Sequence, residues 1–140
     1  MEKMKVNFDN LGGGSYLQEG EHNVKVTEIT EGKSSKKGTP YIEVTFEGNG
    51  GKIAKHKFYW TENAMTPVGL LIKACNPEDE LEGEMELTVA NFKKAIKDKE
   101  LSITVFKEYG QSFVNGEYVE DRSKSFSKVD PFNFGEVVPF

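Results

Sequence analysis

The side chains of this sequence that could do chemistry are lysines and flat aromatic rings. Lysines can hold phosphate groups, and rings can stack on the bases of an unpaired nucleic acid strand. Residues of these two types recur at Lys25, Lys33, Lys36, Lys37, Tyr41, Lys55, Lys57 and Tyr59, and again at Phe106, Lys107 and Tyr109. Together they predict a surface that binds a single-stranded nucleic acid.

A purely structural interpretation applies to the same residues. Solvent-facing lysines are ordinary in strands, and aromatic rings often fill a barrel or stabilise a hairpin through cross-strand pairs. Phe58 and Trp60 share one face of a strand by period 2, so we expect them in the core. Tyr41 and Tyr59 fall on the opposite face of their strands and are the better candidates for base stacking.

The sequence contains no pattern typical of catalysis or metal binding. His22 and His56 have no partner at ligand spacing and Cys75 is the single cysteine, so we expect no zinc site. The acids from Glu78 to Glu86 lack the spacing of a calcium loop. Since no nucleophile, base and oxyanion donor combine, we expect neither an enzyme nor a bound metal or cofactor.

Alternating apolar and polar residues indicate which elements position the lysines and rings. Residues 22–60 alternate as a meander of three strands. A helical pattern from Met65 to Cys75 follows, and Asn91 is expected to cap a second short helix. Two further strands surround the turn signal at Asn115 and Gly116, and Gly110 indicates a bulge.

This order of elements predicts an all-β protein with an OB-fold. That fold is a five-stranded Greek-key barrel, here with one or two helices between strands 3 and 4, and it binds oligonucleotides on its sheet and adjoining loops. We expect residues 1–20 to be a flexible arm, residues 21–128 the barrel domain, and residues 129–140 a tail that binds a partner.

Charge is unevenly distributed along the chain. The net charge is -5, but six acids lie between Glu78 and Glu86 without a base, and the rest of the chain sums to +1. We expect this stretch to be a solvated side that repels DNA. No apolar run approaches the roughly 20 residues of a membrane helix, and no signal segment is evident, so we expect a cytoplasmic protein without a membrane partner.

Part of the chain resembles a family of small bacteriophage proteins that bind single-stranded DNA. The resemblance covers residues 16–110 and is carried by EGEHNV at 19–24, KSSKKGTPYIEVTF at 33–46 and FYWT at 58–61. It implies a role in phage DNA replication or recombination, in the cytoplasm of a bacterial host.

The end of the chain is similar to the acidic tip of bacterial single-strand binding proteins. The residues are EVVPF at 136–140, and the resemblance implies that Val138, Pro139 and Phe140 dock on a replication or recombination protein. This chain has only Glu136 and the more distant Asp130 where that family has a dense run of acids.

Two hypotheses follow from the sequence. The first is a sequence-independent single-stranded DNA-binding protein that recruits a partner through its tail. The second is a structural or adaptor protein that binds other proteins through the barrel surface and the Phe-rich tail. Homo-oligomerisation, the choice between DNA and RNA, and whether the tail docks on its own barrel are left open by the sequence.

Overall fold

The computed structural model of the protein describes residue 3 and residues 16–139, without the side chains of Arg122 and Lys124. Its strands are β1 (Gly20–Lys33), β2 (Pro40–Glu47), β3 (Ile53–Tyr59), β4 (Glu100–Val114) and β5 (Glu117–Val129). Its helices are α1 (Met65–Cys75) and α2 (Val89–Ile96), and single 3-10 turns occupy Asn49–Gly51 and Glu62–Ala64. Most of the predicted N-terminal arm and Phe140 lie outside the described residues.

The five strands form one antiparallel sheet in the order β3-β2-β1-β4-β5. Its two edge strands, β3 and β5, contact each other, so the sheet curls towards a barrel. Both helices lie between β3 and β4, where the sequence predicted an insert. The expectation of an all-β, barrel-like protein is thereby confirmed.

The inner face of the sheet carries the core. Phe46, Phe58 and Ile103 from the strands are almost fully buried with Leu71 of α1 and Phe92 of α2. Large apolar side chains at alternate strand positions thus meet the apolar stripes of the two helices, and their burial drives the packing. In the described residues, neither helix has the length and apolar character required to cross a membrane.

A bulge in β1 changes which side chains face the core. Val26 lies opposite Phe46 before the bulge, and the register shifts between Val26 and Glu28. One extra residue reverses the alternation of a strand. Ile29 therefore packs against the core, while Glu28 is exposed on the other side of the sheet.

The helix α2 begins earlier than the sequence predicted. The hydroxyl oxygen of Thr88 accepts a hydrogen bond from the backbone N–H of Asn91 at 3.1 Å, so Thr88 is the N-cap residue. The prediction that Asn91 caps this helix was wrong, because a threonine three residues earlier satisfies the free N–H groups of the first turn. The helix α1 ends at Cys75, as its pattern predicted.

β4 and β5 form a long hairpin. Asn115 and Gly116 at its tip both have positive φ, which is typical of a tight two-residue turn. The pairing shifts between Tyr109 and Gly110, so the irregularity predicted at Gly110 is confirmed. Beyond this shift the hairpin carries exposed rings that add nothing to the core, Phe113 and Tyr118.

The chain after β5 returns to the sheet. Gly135 forms an antiparallel bridge with Ser102 of β4. The ring centroid of Phe134 lies 6.1 Å from those of both Phe46 and Phe58. Residues 130–135 of the predicted tail therefore continue the edge of the barrel beside β4 and help to close its core.

Candidate nucleic-acid interface

The predicted strand site lies on the outward-facing side of β1, β2 and β3. Side chains that alternate along a strand, and those directly opposite on the neighbouring strand, share a face. We call this surface the sheet face, and the register places on it Lys25, Glu28, Thr30, Gly32, Tyr41, Glu43, Thr45, Glu47, Lys55, Lys57 and Tyr59.

Three of the predicted residues contact one another at one end of the sheet face. Tyr41 and Tyr59 lie directly opposite on β2 and β3, with ring centroids 6.0 Å apart and ring planes at 70°. The Nζ atom of Lys57 lies 4.7 Å from the centroid of the Tyr41 ring, within the range of a cation–π interaction. We call these residues the ring cluster. Tyr59 is 41% exposed and Tyr41 is half-buried, so Tyr59 is the more accessible platform.

Gly32 leaves room for the ring of Tyr41 to lie close to the sheet. Gly32 of β1 lies opposite Tyr41, and a Cβ atom at position 32 would lie 2.5 Å from the tip of the tyrosine ring. Only a residue without a side chain allows this approach. The sequence did not indicate this contact, because it depends on the register between β1 and β2.

Lysines continue from the ring cluster into the loop between β1 and β2. Lys33, Lys36 and Lys37 are all exposed. The loop is compact, because the backbone N–H of Ser34 donates to the carbonyl of Thr39 at 2.9 Å. Three cations therefore project from a short, ordered connection at the same end of the sheet as Tyr41.

A hollow of about 300 Å³ lies between this loop and the ring cluster. Its lining includes Lys33, Tyr41 and Trp60, together with Glu31. Trp60 also packs on Phe92, with ring centroids 5.6 Å apart, so the predicted core placement of this residue is confirmed. Trp60 thus packs against the core and also lines the hollow.

Acids share the sheet face, and the sequence prediction left them out. Glu43 lies opposite Lys57, and Glu28 is exposed on β1. Glu47 and Glu100 lie opposite Lys25 on its two sides. Lys25 thus has an acid on each neighbouring strand. Its partner Glu47 lies six residues along β2 from Tyr41, so Lys25 is roughly 20 Å from the ring cluster. Period 2 alone placed Glu43 and Glu47 with Tyr41.

Lys55 and Lys57 extend the cation set along β3. Both are exposed, and Lys55 lies opposite Thr45 while Lys57 lies opposite Glu43. On the sheet face, Lys55 differs from Lys25 and Lys57 because its cross-strand partner is uncharged. Of these three lysines only Lys57 neighbours the ring cluster, and the other cations at that end belong to the loop.

The hairpin residues predicted for DNA binding divide between two faces. Phe106 lies opposite Lys128, which forms a 2.7 Å ion pair with Glu108. By alternation along β4, Lys107 and Tyr109 project from the other face. The structure therefore does not bring Phe106, Lys107 and Tyr109 together on a single surface.

In comparisons with known proteins, no protein-family model matches this chain, and no curated protein matches it either.

The described end of the tail contacts the outer side of β1. The backbone N–H of Val138 donates to Oδ1 of Asn23 at 2.8 Å, and its carbonyl accepts from the amide group of the same side chain. Val137 borders a shallow hollow with Lys25 and Glu47. Pro139 is exposed, and Phe140, the third predicted partner-binding residue, lies outside the described residues.

Two ionisable groups inside the barrel have shifted pKa values. Burial, and secondarily the charge of Lys128, lowers the pKa of His56 below its ordinary value of 6.5. Burial raises the pKa of the Cys75 thiol to about 12, against a smaller opposite effect of Lys99. Both groups belong to the packed interior. Among the described residues, no three His, Cys, Asp or Glu side chains gather where they could hold a metal ion.

Proposed function

We propose that this protein binds single-stranded DNA without sequence preference and serves phage DNA replication or recombination. The ring cluster of Tyr41, Lys57 and Tyr59 carries the proposal, since it sets an accessible ring beside a cation on an open sheet. The exposed lysines of the adjoining loop support it. We further propose that the barrel is an OB-fold, because its strand order and the place of its helices agree with that topology.

In the proposed mechanism, lysines hold the phosphates and rings hold the bases. Lys33, Lys36 and Lys37 receive the backbone at the loop, and Lys55 and Lys57 continue its path along β3. A base stacks on Tyr59, and a neighbouring base enters the hollow beside Tyr41. Stacking of one base contributes about 1 to 3 kcal/mol and reads no sequence, because every base has a flat face.

The acids of the sheet face limit the strength of this binding. Glu28 and Glu43 repel phosphates, so the bound strand is expected to follow the loop and β3 and to avoid the centre of the sheet. Lys25 contributes least among the predicted lysines, because Glu47 and Glu100 surround it. We therefore expect moderate affinity with a strong dependence on salt.

The test is a fluorescence anisotropy titration of labelled oligo-dT at low and moderate salt. Binding at low salt should weaken steeply as salt rises, with a log–log slope of about -2 to -4 if three to five lysines replace counterions on a single strand. An oligo-rU titration measures the choice between DNA and RNA. Absence of oligo-dT binding at low salt would contradict the proposal.

We also propose that the tail recruits a replication or recombination protein. Val138 contacts Asn23, and two apolar residues, Pro139 and Phe140, follow it in the sequence. Pro139 is exposed and restricts the backbone there. Removal of Pro139 and Phe140 should abolish capture of such a partner in a pull-down and leave oligo-dT affinity equal or higher. Unchanged capture would contradict this role of the tail.

A second candidate is an adaptor that binds only proteins. The acids Glu28, Glu43 and Glu47 on the sheet face favour it, since mixed charge is common on protein-binding surfaces. The exposed rings Phe113 and Tyr118 of the hairpin would serve the same role. The oligo-dT titration separates the two candidates, because an adaptor gives no salt-sensitive DNA binding.

A further inference from the structure

An apolar groove runs between α1 and the chain that follows it, on residues that the proposed DNA site does not use. Its volume is about 500 Å³. The floor and walls are mainly apolar, and the lining includes Met65, Gly69, Ile72, Leu81, Met85 and Leu87.

One wall of the groove is an irregular segment that bends at Gly83, where φ is +71°. Residues 81–87 have the sequence LEGEMEL and belong to no helix or strand. Leu81, Met85 and Leu87 line the groove, and the alternate positions are Glu82, Glu84 and Glu86, all exposed. The segment therefore contributes three apolar side chains to the groove, and Glu82, Glu84 and Glu86 place negative charge beside them. We call the whole feature the acid-rimmed groove.

The groove passes over a glycine in the middle of α1. A Cβ atom at Gly69 would meet no atom within 4 Å. Glycine costs a helix roughly 1 kcal/mol relative to alanine, so this residue weakens α1 without filling any space. Its effect in the folded protein is to leave room above the helix.

The apolar side chains around the groove are accessible to solvent to different degrees. Met85 is 67% exposed, while Met65 and Ile72 are only partly buried. Methionine side chains are flexible and polarisable, which suits grooves that receive apolar side chains of a peptide. A ligand that entered here would bury surface that now contacts water.

Charge decides which kind of ligand fits. Glu82 lines the groove, five further acids lie between Glu78 and Glu86, and Lys73 is the cation at the helix side. A basic ligand is attracted to this rim and an acidic one is repelled. Residues 1–10 and 136–140 do not fit this description, because the first range holds two acids and two lysines and the second carries an acid and no lysine or arginine.

We propose that the acid-rimmed groove binds a short, basic, amphipathic segment of a partner protein. One or two large apolar side chains of that segment enter the space above Gly69, and its lysines or arginines pair with Glu82, Glu84 and Glu86. This proposal does not depend on DNA binding by the sheet face, so either can fail without the other.

A labelled amphipathic peptide of leucine and lysine, roughly four helical turns long, is the probe. Its binding to the full-length protein is measured by fluorescence anisotropy, beside a peptide of the same pattern with glutamate in place of lysine. The lysine peptide should bind with micromolar affinity and the glutamate peptide should not. Failure of the lysine peptide to bind at low salt overturns the proposal.

The variant Gly69→Leu tests the groove itself. The leucine fills the open space and also favours the helix, so the melting temperature should stay equal or rise. Peptide affinity should fall by at least about tenfold. Ala90→Leu is the matched control, because position 90 is an exposed site of α2; this variant should bind the peptide like the wild type.

Reversal of the rim charge gives a second test that leaves the helix packing intact. The triple variant Glu82→Lys, Glu84→Lys and Glu86→Lys changes exposed residues and should lose the lysine peptide. If this variant loses binding while Gly69→Leu keeps it, the attraction is purely electrostatic and the groove is not the site. If Gly69→Leu instead converts a wild-type dimer to a monomer, the occupant is a second copy of the chain, which also overturns the proposal.

Discussion

The position of the Tyr41 ring depends on Gly32, because a side chain at position 32 would collide with the ring. The ring tip lies where a Cβ atom of residue 32 would be, and the ammonium of Lys57 covers the ring from 4.7 Å. Tyr59 and Lys57 thus pack against the Tyr41 ring, and Gly32 leaves space for it. Base stacking in our account takes place beside this fixed ring, so its position should influence affinity.

Gly32→Ala should weaken oligo-dT binding by about threefold to tenfold, because the new methyl group displaces Tyr41 and part of the stacking energy of a base is lost. The free energy of unfolding should fall by only about 1 kcal/mol, since the tip of a tyrosine ring can move. Anisotropy and thermal melting measure the two effects. Gly69→Ala is the control, because a methyl group there meets nothing; equal DNA affinity in the Gly32 variant and the wild type would show that Tyr41 has no part in binding.

His56 should make the fold sensitive to mild acid. Burial lowers its pKa in the folded state, so below its ordinary pKa of 6.5 the unfolded chain takes up the proton more readily. This contribution to stability is complete above that pH and is lost as the pH falls below it. Melting temperatures measured between about pH 7.5 and about pH 5.5 should drop less for His56→Gln than for the wild type. Equal drops would contradict this role of His56.

At the scale of single residues, the sequence predicted which side of β2 and β3 each residue faces, but not the reversal at the bulge of β1. Period 2 separated Phe58 from Tyr59 and Ile42 from Tyr41, as the structure has them. It also placed Glu43 beside Tyr41, although the prediction of a basic surface passed over that acid. The approach of Tyr41 to Gly32 was not predictable, because strand register arises from the packing of the whole sheet.

At the scale of elements, the segment after β5 acts as part of the barrel. Phe134 points to the core while Gly135 pairs with Ser102 of β4. The sequence indicated strands, helices and turns well where patterns are local. It described residues 129–140 as a tail and left open whether this tail docks on its own barrel, because a single inward ring beside a glycine has no periodicity to reveal it.

Replacement of Phe134 by alanine should therefore lower the free energy of unfolding by about 2 kcal/mol, through loss of apolar burial between Phe46 and Phe58. Phe132 is the matched control, since it is 65% exposed. Its alanine variant should change stability by less than about 0.5 kcal/mol. Urea denaturation of both variants measures the difference, and equal effects would contradict the packing of Phe134.

The segment of residues 81–87 contains acids and large apolar residues in the same short stretch. Its acids predicted a solvated stretch, and they are exposed. The prediction from the charges left out the apolar residues between them, Leu81, Met85 and Leu87. Their position beside α1 becomes evident only when the helix and this segment lie together.

At the scale of the whole molecule, the lysine-rich part of the surface and the acidic part lie on different elements. Cations gather at the loop after β1 and along β3, whereas the acids of residues 78–86 lie on the chain between the two helices. A polyanion is thus expected to approach by the sheet end and to be repelled from the acid-rimmed groove. Under both proposals, the two surfaces would bind a nucleic acid and a basic partner segment at the same time, because they share no residue.

The most direct test of DNA binding at the ring cluster is the oligo-dT affinity of the triple variant Lys55→Ala, Lys57→Ala and Tyr59→Ala at low salt, with Lys94→Ala and Lys97→Ala on α2 as the control. All five positions are exposed, so thermal stability should be nearly unchanged in both. We predict that the triple variant loses at least about 2 kcal/mol of binding free energy, through lost stacking and phosphate contacts, while the control binds like the wild type. Wild-type affinity in the triple variant, or an equal loss in the control, would contradict the account.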